Sequence, residues 1–352
     1  NRAMEMYSGV FKHARREREI AILHSITQLG FEHVYFGAEW HNNDPYYRYL
    51  TTPFHRGGHM LRVESAFSGF LWSHMPADII GEGGILSGRL DRYKGLAMTG
   101  IELPKLPANL MAKINGFIKK GGVVMMDSKC RIEIPGAVKL DFPFDFIRAG
   151  WSNRHEYRGM QHEYDKVKER LNKVLDARFK HTVRGDSDRV LLSSAKWGDS
   201  RFVTAAGDRI LKDTAFQGAY AREPIRTTIH VAGEAEVVYD LFELKRLDIQ
   251  KDSEGVLFPA DLTKVGAKLF AVLPAAIAPP AMQVNSTVNT GEEASVAVSI
   301  KDTKSQPVNV LVPIEIRLVD PQGEIRHQCF RAVQGTEKFE EDFKIASNDP
   351  AG

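Results

Sequence analysis

Cys130 lies three residues beyond Asp127, in the run Asp127-Ser128-Lys129-Cys130-Arg131-Ile132. A cysteine nucleophile needs a tight strand-to-helix turn with small neighbours, so that the sulfur is exposed and a helix N-terminus lowers its pKa. Lys129 and Arg131 favour a thiolate, but no glycine flanks the position and no downstream His-x-Glu pair completes a triad. The competing reading is a buried or half-buried structural cysteine, and on these residues it is the favoured one. If the chain is an enzyme that works at the ends of parallel strands, its candidates are Ser25, Glu82, Asp127 and Cys130.

Histidines cluster early, at His24, His33, His41, His55 and His59. His55 and His59 have the i, i+4 spacing that lets two imidazoles share a metal on a helix. Gly57 and Gly58 disfavour a rigid helix between them, and no glutamate follows His55, so no metal and no cofactor is expected. Glu39, Trp40, Tyr46 and Tyr47 form an aromatic and acidic patch. Aromatic faces stack on sugar rings and carboxylates accept hydroxyl protons, so this patch is a candidate ligand-binding site for carbohydrate. The competing reading is packing of the loop onto the domain or a partner subunit. Gly81-Glu82-Gly83-Gly84 lacks GxGxxG and the Walker lysine, which argues against dinucleotide or phosphate binding.

The elements that must position these residues are clearest between Tyr93 and Ser128. Lys94–Thr99 reads as a buried strand. Leu110, Ile114, Phe117 and Ile118 recur on one helical face, Gly121-Gly122 stops that helix, and Val123–Met126 is a second strand. Two buried strands around an amphipathic helix make a βαβ unit with a parallel sheet. Upstream, Arg18–Leu23 reads as a strand after a basic helical lead-in, His24 to about Pro53 as a long loop, His59–Trp72 as a helix and Ala77–Gly81 as a strand. Gly83–Ser87 reads as a loop and Ala137–Phe142 as a further strand. The order resembles a flavodoxin-like, doubly wound sheet. His155–Phe179 reads as a closing helix. From Asp186, short strand-like runs between Gly, Asp and Pro suggest an antiparallel β-sandwich. Ala275–Met282 reads as a linker, and a second strand set follows, with Asp320-Pro321-Gln322-Gly323 as a turn and Asp240 as another turn residue.

The chain has 352 residues, with 43% hydrophobic and 26% charged, the balance of a globular protein. A formal net charge of +2 supplies no strong field towards nucleic acid. No apolar run reaches membrane-span length. Cys130 and Cys329 lie far apart and do not read as a disulfide framework. The chain opens without methionine at Asn1 and closes at Gly352 after strand-like sequence, so it is expected to be a fragment. Its compartment is left open, with an exported parent as one option.

The first half resembles the glutamine-amidotransferase-like, trimerisation-type domain of glycoside hydrolase family 42 beta-galactosidases. The resemblance rests on Arg18–Leu23, Asp78-Ile79-Ile80-Gly81-Glu82, Asp91–Leu96 and Phe117–Val124. Ser187–Leu191, Trp197-Gly198, Val238–Phe242 and Leu269–Pro274 resemble the β-domain that follows in such proteins. Ile316–Gly323 and Asn348–Gly352 resemble an immunoglobulin-like module. The resemblance implies an α/β amidotransferase-like domain over 1–185, a β-sandwich over 186–275 and an incomplete immunoglobulin-like sandwich over 276–352. It further implies a carbohydrate-active parent whose catalytic barrel and paired carboxylates lie upstream. The leading expectation is a non-catalytic accessory or assembly region. Its partner would be that barrel or another copy of the chain. The alternatives are an amidotransferase-like or other hydrolase, and a carbohydrate-binding module.

Overall fold

The computed structural model describes residues 2–37, 58–146, 161–207, 225–285, 287–336 and 338–348. The chain begins with α1 (Arg2–His13) and a two-residue strand β1 (Arg15–Arg16). The α/β layer then runs β2 (Ile20–His24), α2 (Ile26–Gly37), α3 (His59–Trp72), β3 (Asp78–Gly81), α4 (Glu82–Leu86), β4 (Gly95–Met98), α5 (Ala108–Lys119), β5 (Val123–Met126), β6 (Val138–Lys139) and α6 (Lys168–Asp176). Its five strands form one parallel sheet in the order β3-β2-β4-β5-β6.

Strand periodicity divides this core in two. Ile20, Ile22, Ala97 and Met125 face Val63, Ala66 and Phe70 of α3, Leu171 and Leu175 of α6, and Phe142, Phe144 and Phe146. Ala21, Leu23, Leu96, Met98, Val124 and Met126 face Ile85 of α4 and Leu110, Ile114 and Phe117 of α5. Helices therefore cover both faces, which is why the strands read as continuous apolar runs. Gly121 stops α5 with φ +92°, and a Cβ on Gly122 would lie 2.4 Å from the Phe117 ring.

The strands downstream are antiparallel. They are β7 (Val183–Gly185), β8 (Val190–Trp197), β9 (Ser200–Gly207), β10 (Arg226–Ala232), β11 (Val237–Asp240), β12 (Lys245–Leu247), β13 (Gln250–Lys251), β14 (Gly255–Asp261) and β15 (Ala267–Leu273). They form a six-stranded sheet β1-β8-β9-β15-β11-β12 and a four-stranded sheet β13-β14-β10-β7. Val203, Phe270 and Val272 pack between the two sheets with Ile229, Val231 and Phe258. The alternate residues Phe202, Leu269 and Ala271 point to the other face. Five strands follow, β16 (Ala281–Val284), β17 (Glu293–Ser299), β18 (Leu311–Val319), β19 (Ile325–Gln334) and β20 (Phe339–Lys344), and α1 with β17 to β20 covers that face. These last strands form a three-stranded sheet β16-β17-β20 and a two-stranded sheet β18-β19.

The elements differ from the sequence reading in several places. The long loop from His24 contains α2, and Gly83–Ser87 is not all loop, because α4 runs through Leu86. A Cβ on Gly84 would lie 2.9 Å from Ile80, so this glycine lets the short helix close onto β3. The strand expected over Ala137–Phe142 is two residues long. The single closing helix is interrupted by a turn at 166–167 before α6. The first residues do not join the parallel sheet: β1 pairs with β8 and α1 packs on β18 and β19. No helix among the described residues is long and apolar enough to cross a membrane.

Candidate functional site at the strand ends

In an open parallel sheet, ligands bind beyond the carboxyl ends of the strands, where the strand order reverses. Here that place lies between β2 and β4. The chain segments that meet there carry His24 and Ser25 after β2, Glu82 after β3, Thr99 to Glu102 after β4 and Asp127 to Cys130 after β5. The four enzyme candidates of the sequence reading are thus brought to one end of the sheet.

His59 fills the gap between the two strands. The Ser25 backbone N–H donates to His59 Nε2 at 2.8 Å, and His59 Nδ1 donates to the Thr99 carbonyl at 3.0 Å. A carbonyl only accepts, so the ring is the neutral Nδ1–H tautomer with both nitrogens used. Burial pushes its pKa down to about 4. The ring stacks on His24, with centroids 5.9 Å apart and planes 5° from parallel. The His59 backbone N–H donates to the Glu32 carboxylate at 2.9 and 3.0 Å, which fixes the start of α3. Burial raises the Glu32 carboxyl above its ordinary range. No lone pair of His59 is left for a metal, and His55 lies outside the described residues. No cluster of three or more His, Cys, Asp or Glu residues that could hold a metal occurs among the described residues.

Ser25 Oγ accepts the Gln28 backbone N–H at 3.0 Å, the bond of a helix N-cap. The same hydroxyl donates to Glu82 Oε1 at 2.5 Å. Glu82 also accepts the Thr27 N–H at 3.0 Å and the Thr27 hydroxyl at 2.8 Å. A carboxylate over the first turn of a helix is favourably placed. Glu82 therefore ties α2 to the end of β3. The Gln28 side chain accepts the Glu102 and Leu103 N–H groups at 2.9 and 3.1 Å and donates to Glu32 at 3.0 Å.

Asp127 is buried and accepts three backbone N–H groups: Gly100 at 2.9 Å, Lys129 at 3.1 Å and Phe144 at 3.2 Å. Cys130 donates its thiol to the Met98 carbonyl at 3.3 Å and accepts the Ile101 N–H at 3.4 Å. Burial, then the neighbouring Asp127, pushes this thiol well up, the direction that opposes a thiolate. Arg62, one helical turn after His59, donates to Glu102 at 2.7 Å.

Sequence reasoning did not find Thr99, Arg62, Gln28 or Glu32, and it weighed His59 only as a metal ligand. A usable signal was present. Ser25-Ile26-Thr27-Gln28 is the S-x-x-Q start of a helix, and it announces α2 and the capping role of Ser25. Glu39, Trp40, Tyr46 and Tyr47 lie outside the described residues. Asp240 and Asp320 do form turns. Asp240 accepts the Phe242 and Glu243 N–H groups at 2.9 and 3.0 Å, and Asp320 those of Gln322 and Glu324 at 2.9 and 2.8 Å. Asp240 has a second duty, an ion pair at 2.7 Å with buried Lys268. Two open cavities of about 410 Å³ each lie away from the strand ends, one beside Lys94 and Lys120, the other beside Glu234 and Asp252.

No family model and no curated protein matches the sequence. Solved structures do match. An alpha-L-fucosidase isoenzyme 2 from Paenibacillus thiaminolyticus superposes with a TM-score of 0.50 at 9% identity, over 77% of this chain and 51% of that one. A GH42 beta-galactosidase from G. stearothermophilus gives 0.44 at 14% identity, over 77% of this chain and 42% of that one. The beta-galactosidase from Bacillus circulans sp. alkalophilus gives 0.43 at 8% identity, over 77% and 44%. The chain spans about half the length of the fucosidase it matches. At these identities the likeness is one of fold: a mixed chain, mostly strands in several sheets, of a kind found within glycoside hydrolases.

Proposed function

We propose that this chain is a non-catalytic accessory and assembly region of a multi-domain carbohydrate-active protein. The observation that carries the reading is His59. It occupies the crevice where the sheet order would place a ligand, and it spends both ring nitrogens on the backbone of the two diverging strands. The four candidates around it are spent as well. Ser25 caps α2, Glu82 clamps the same turn, Asp127 gathers three loop N–H groups and Cys130 carries a raised thiol. Counted from β2, the sheet order is that of a flavodoxin-like domain, which agrees with the amidotransferase-like resemblance. The units 1–185, 186–275 and 276–352, the last immunoglobulin-like, belong to the same proposal. So does an upstream barrel or a second copy as the partner. An assembly role fits a domain whose polar residues hold loops in place and, among the described residues at the strand ends, leave no nucleophile poised.

The test is an activity assay paired with sedimentation on the chain as it stands. The expected result is no turnover of aryl galactosides or fucosides, together with self-association at high protein concentration. Turnover that disappears in Ser25→Ala or Glu82→Gln would overturn the non-catalytic reading. A strict monomer that also fails to associate with the upstream part of its own polypeptide would overturn the assembly reading.

A further inference from the structure

We propose that the β1 edge of the six-stranded sheet binds an acidic polysaccharide, a sugar polymer carrying carboxylate or sulfate groups, through Arg15, Arg16 and Lys196. The anionic class rests on the register of the strands. The choice of a polysaccharide rests on the carbohydrate reading above.

β1 is the edge strand of its sheet, and both of its residues, Arg15 and Arg16, are exposed. Arg15 lies opposite Lys196 of β8, and Lys196 lies opposite Arg201 of β9. Residues directly opposite share a face of the sheet, with Cβ atoms about 5 Å apart. Three cationic side chains therefore stand in one row across β1, β8 and β9. Like charges placed opposite each other destabilise a sheet. Arg201 is neutralised, because it donates to both oxygens of Glu17 at 2.8 and 3.1 Å. Exposed Arg15, Arg16 and Lys196 have no ion-pair partner among the described residues. Glu17 and Glu19, the carboxylates that follow β1 in sequence, are taken by Arg201 and Lys94.

The arrangement selects a polymeric anion. A neutral glycan would leave the repulsion between Arg15 and Lys196 in place. A single small anion could bridge that pair, but Arg16 lies opposite Ala195 and on the other face of the strand. A chain with an anionic group on successive units can run along the edge and meet both faces. Exposed Lys12, in the last turn of α1, adds positive charge just before β1. On the far side of β9 the Glu236 N–H donates to Leu273 at the end of β15, so the acidic side chains there bound the patch. The net charge of only +2 makes this a local feature, without the broad positive field that draws nucleic acid.

The test uses the whole chain with polygalacturonate and dextran sulfate as probes, neutral dextran as the uncharged contrast and single-stranded DNA as the other polyanion, in affinity electrophoresis at low and high salt. The expected result is retardation by an acidic polysaccharide, none by neutral dextran, and a loss of binding as salt rises. Arg15→Gln combined with Lys196→Gln should weaken binding roughly tenfold, two exposed charge contacts having gone. The urea midpoint of that variant without polysaccharide should stay level or rise, because a repulsive pair has gone. Failure of both acidic polymers to bind at low salt, or equal binding by the double variant, would overturn the proposal. So would DNA bound as tightly as the acidic polysaccharide, which would mark a nucleic-acid surface. Loss of self-association in the double variant without polysaccharide would make the row an interface between copies and overturn it as well. Turnover and sedimentation of the unaltered chain, which test the assembly reading, do not depend on polysaccharide binding.

Discussion

At the residue scale, the strand-end cluster is a set of side chains that bond to backbone groups. A buried polar group without a partner costs on the order of 1–3 kcal/mol. His59→Ala would leave the Ser25 N–H and the Thr99 carbonyl bare, so it should destabilise the protein by roughly 2–6 kcal/mol, the sum of two such losses. His59→Asn keeps an amide where Nδ1 stands and should recover about half of that. Urea unfolding of the two variants checks the order, and equal losses in both would remove the bridging role assigned to His59. Cys130 makes a separate prediction. A thiol raised by burial and by Asp127 should react slowly with iodoacetamide in the native protein and at an ordinary rate after unfolding. Rapid stoichiometric labelling of the folded chain would show instead that Cys130 is an available nucleophile.

At the scale of elements, the end of α5 carries a prediction with an internal control. Gly121 has φ +92° with open space around its Cβ position, so Gly121→Ala pays only the left-handed backbone cost, about 1 kcal/mol. Gly122 has no such φ, but its Cβ would strike the buried Phe117 ring at 2.4 Å. Gly122→Ala should therefore cost more, about 1–3 kcal/mol, as overpacking does. Urea midpoints that place Gly121→Ala as the worse variant would mean that the ring swings aside. The same stretch shows what the sequence makes legible. The bounds expected for α3 and β5 match those observed, because their apolar spacing is local and both are buried by their neighbours. Two helices were missed for opposite reasons. α2 carries aromatic and polar residues that read as loop, although Ser25 and Gln28 mark its start. α4 carries two glycines that usually break a helix, and here Gly84 is needed for contact with Ile80. β7, β12 and β13 are short and largely polar, so neither alternation nor β-branching marks them. The candidate residues could be collected, but not their roles. His59 bonds to backbone groups 34 and 40 residues away. Every residue carries the same main-chain N–H and C=O, so residue type does not advertise such a partner.

At the scale of the whole molecule, the six-stranded sheet is the shared wall, covered by the four-stranded sheet on one face and by α1 and the last strands on the other. The α/β layer is joined to this β structure through His74, which follows α3 with φ +54°. His74 Nε2 donates to the Val190 carbonyl of β8 at 2.9 Å, and Nδ1 accepts the Gly185 N–H of β7 at 3.2 Å. His181 donates to the His74 carbonyl at 3.3 Å and contacts Asp176 at 2.8 Å. Burial lowers the pKa of His74 from 6.5 to about 4, as it does for His59. In both, the folded value lies below the unfolded one, so between these limits the unfolded chain binds more protons and stability rises with pH. Their stabilisation is complete above about pH 6.5 and is lost as pH falls towards about 4, on the order of 3 kcal/mol for each histidine. Glu32 opposes the change, since its raised carboxyl takes up a proton before the unfolded chain does. Glu243 and Asp261, held down to about 2 by their hydrogen-bond partners, lose their contribution only at lower pH. The protein should therefore weaken in mild acid, before Glu243 and Asp261 take up protons. Asn tolerates the left-handed backbone of position 74. His74→Asn should be less stable at neutral pH and should flatten the slope of stability against pH by about half, one of two histidines having gone. Urea unfolding followed from neutral pH to about pH 4.5 measures that slope, and a slope unchanged by His74→Asn would show that this junction does not carry the acid sensitivity.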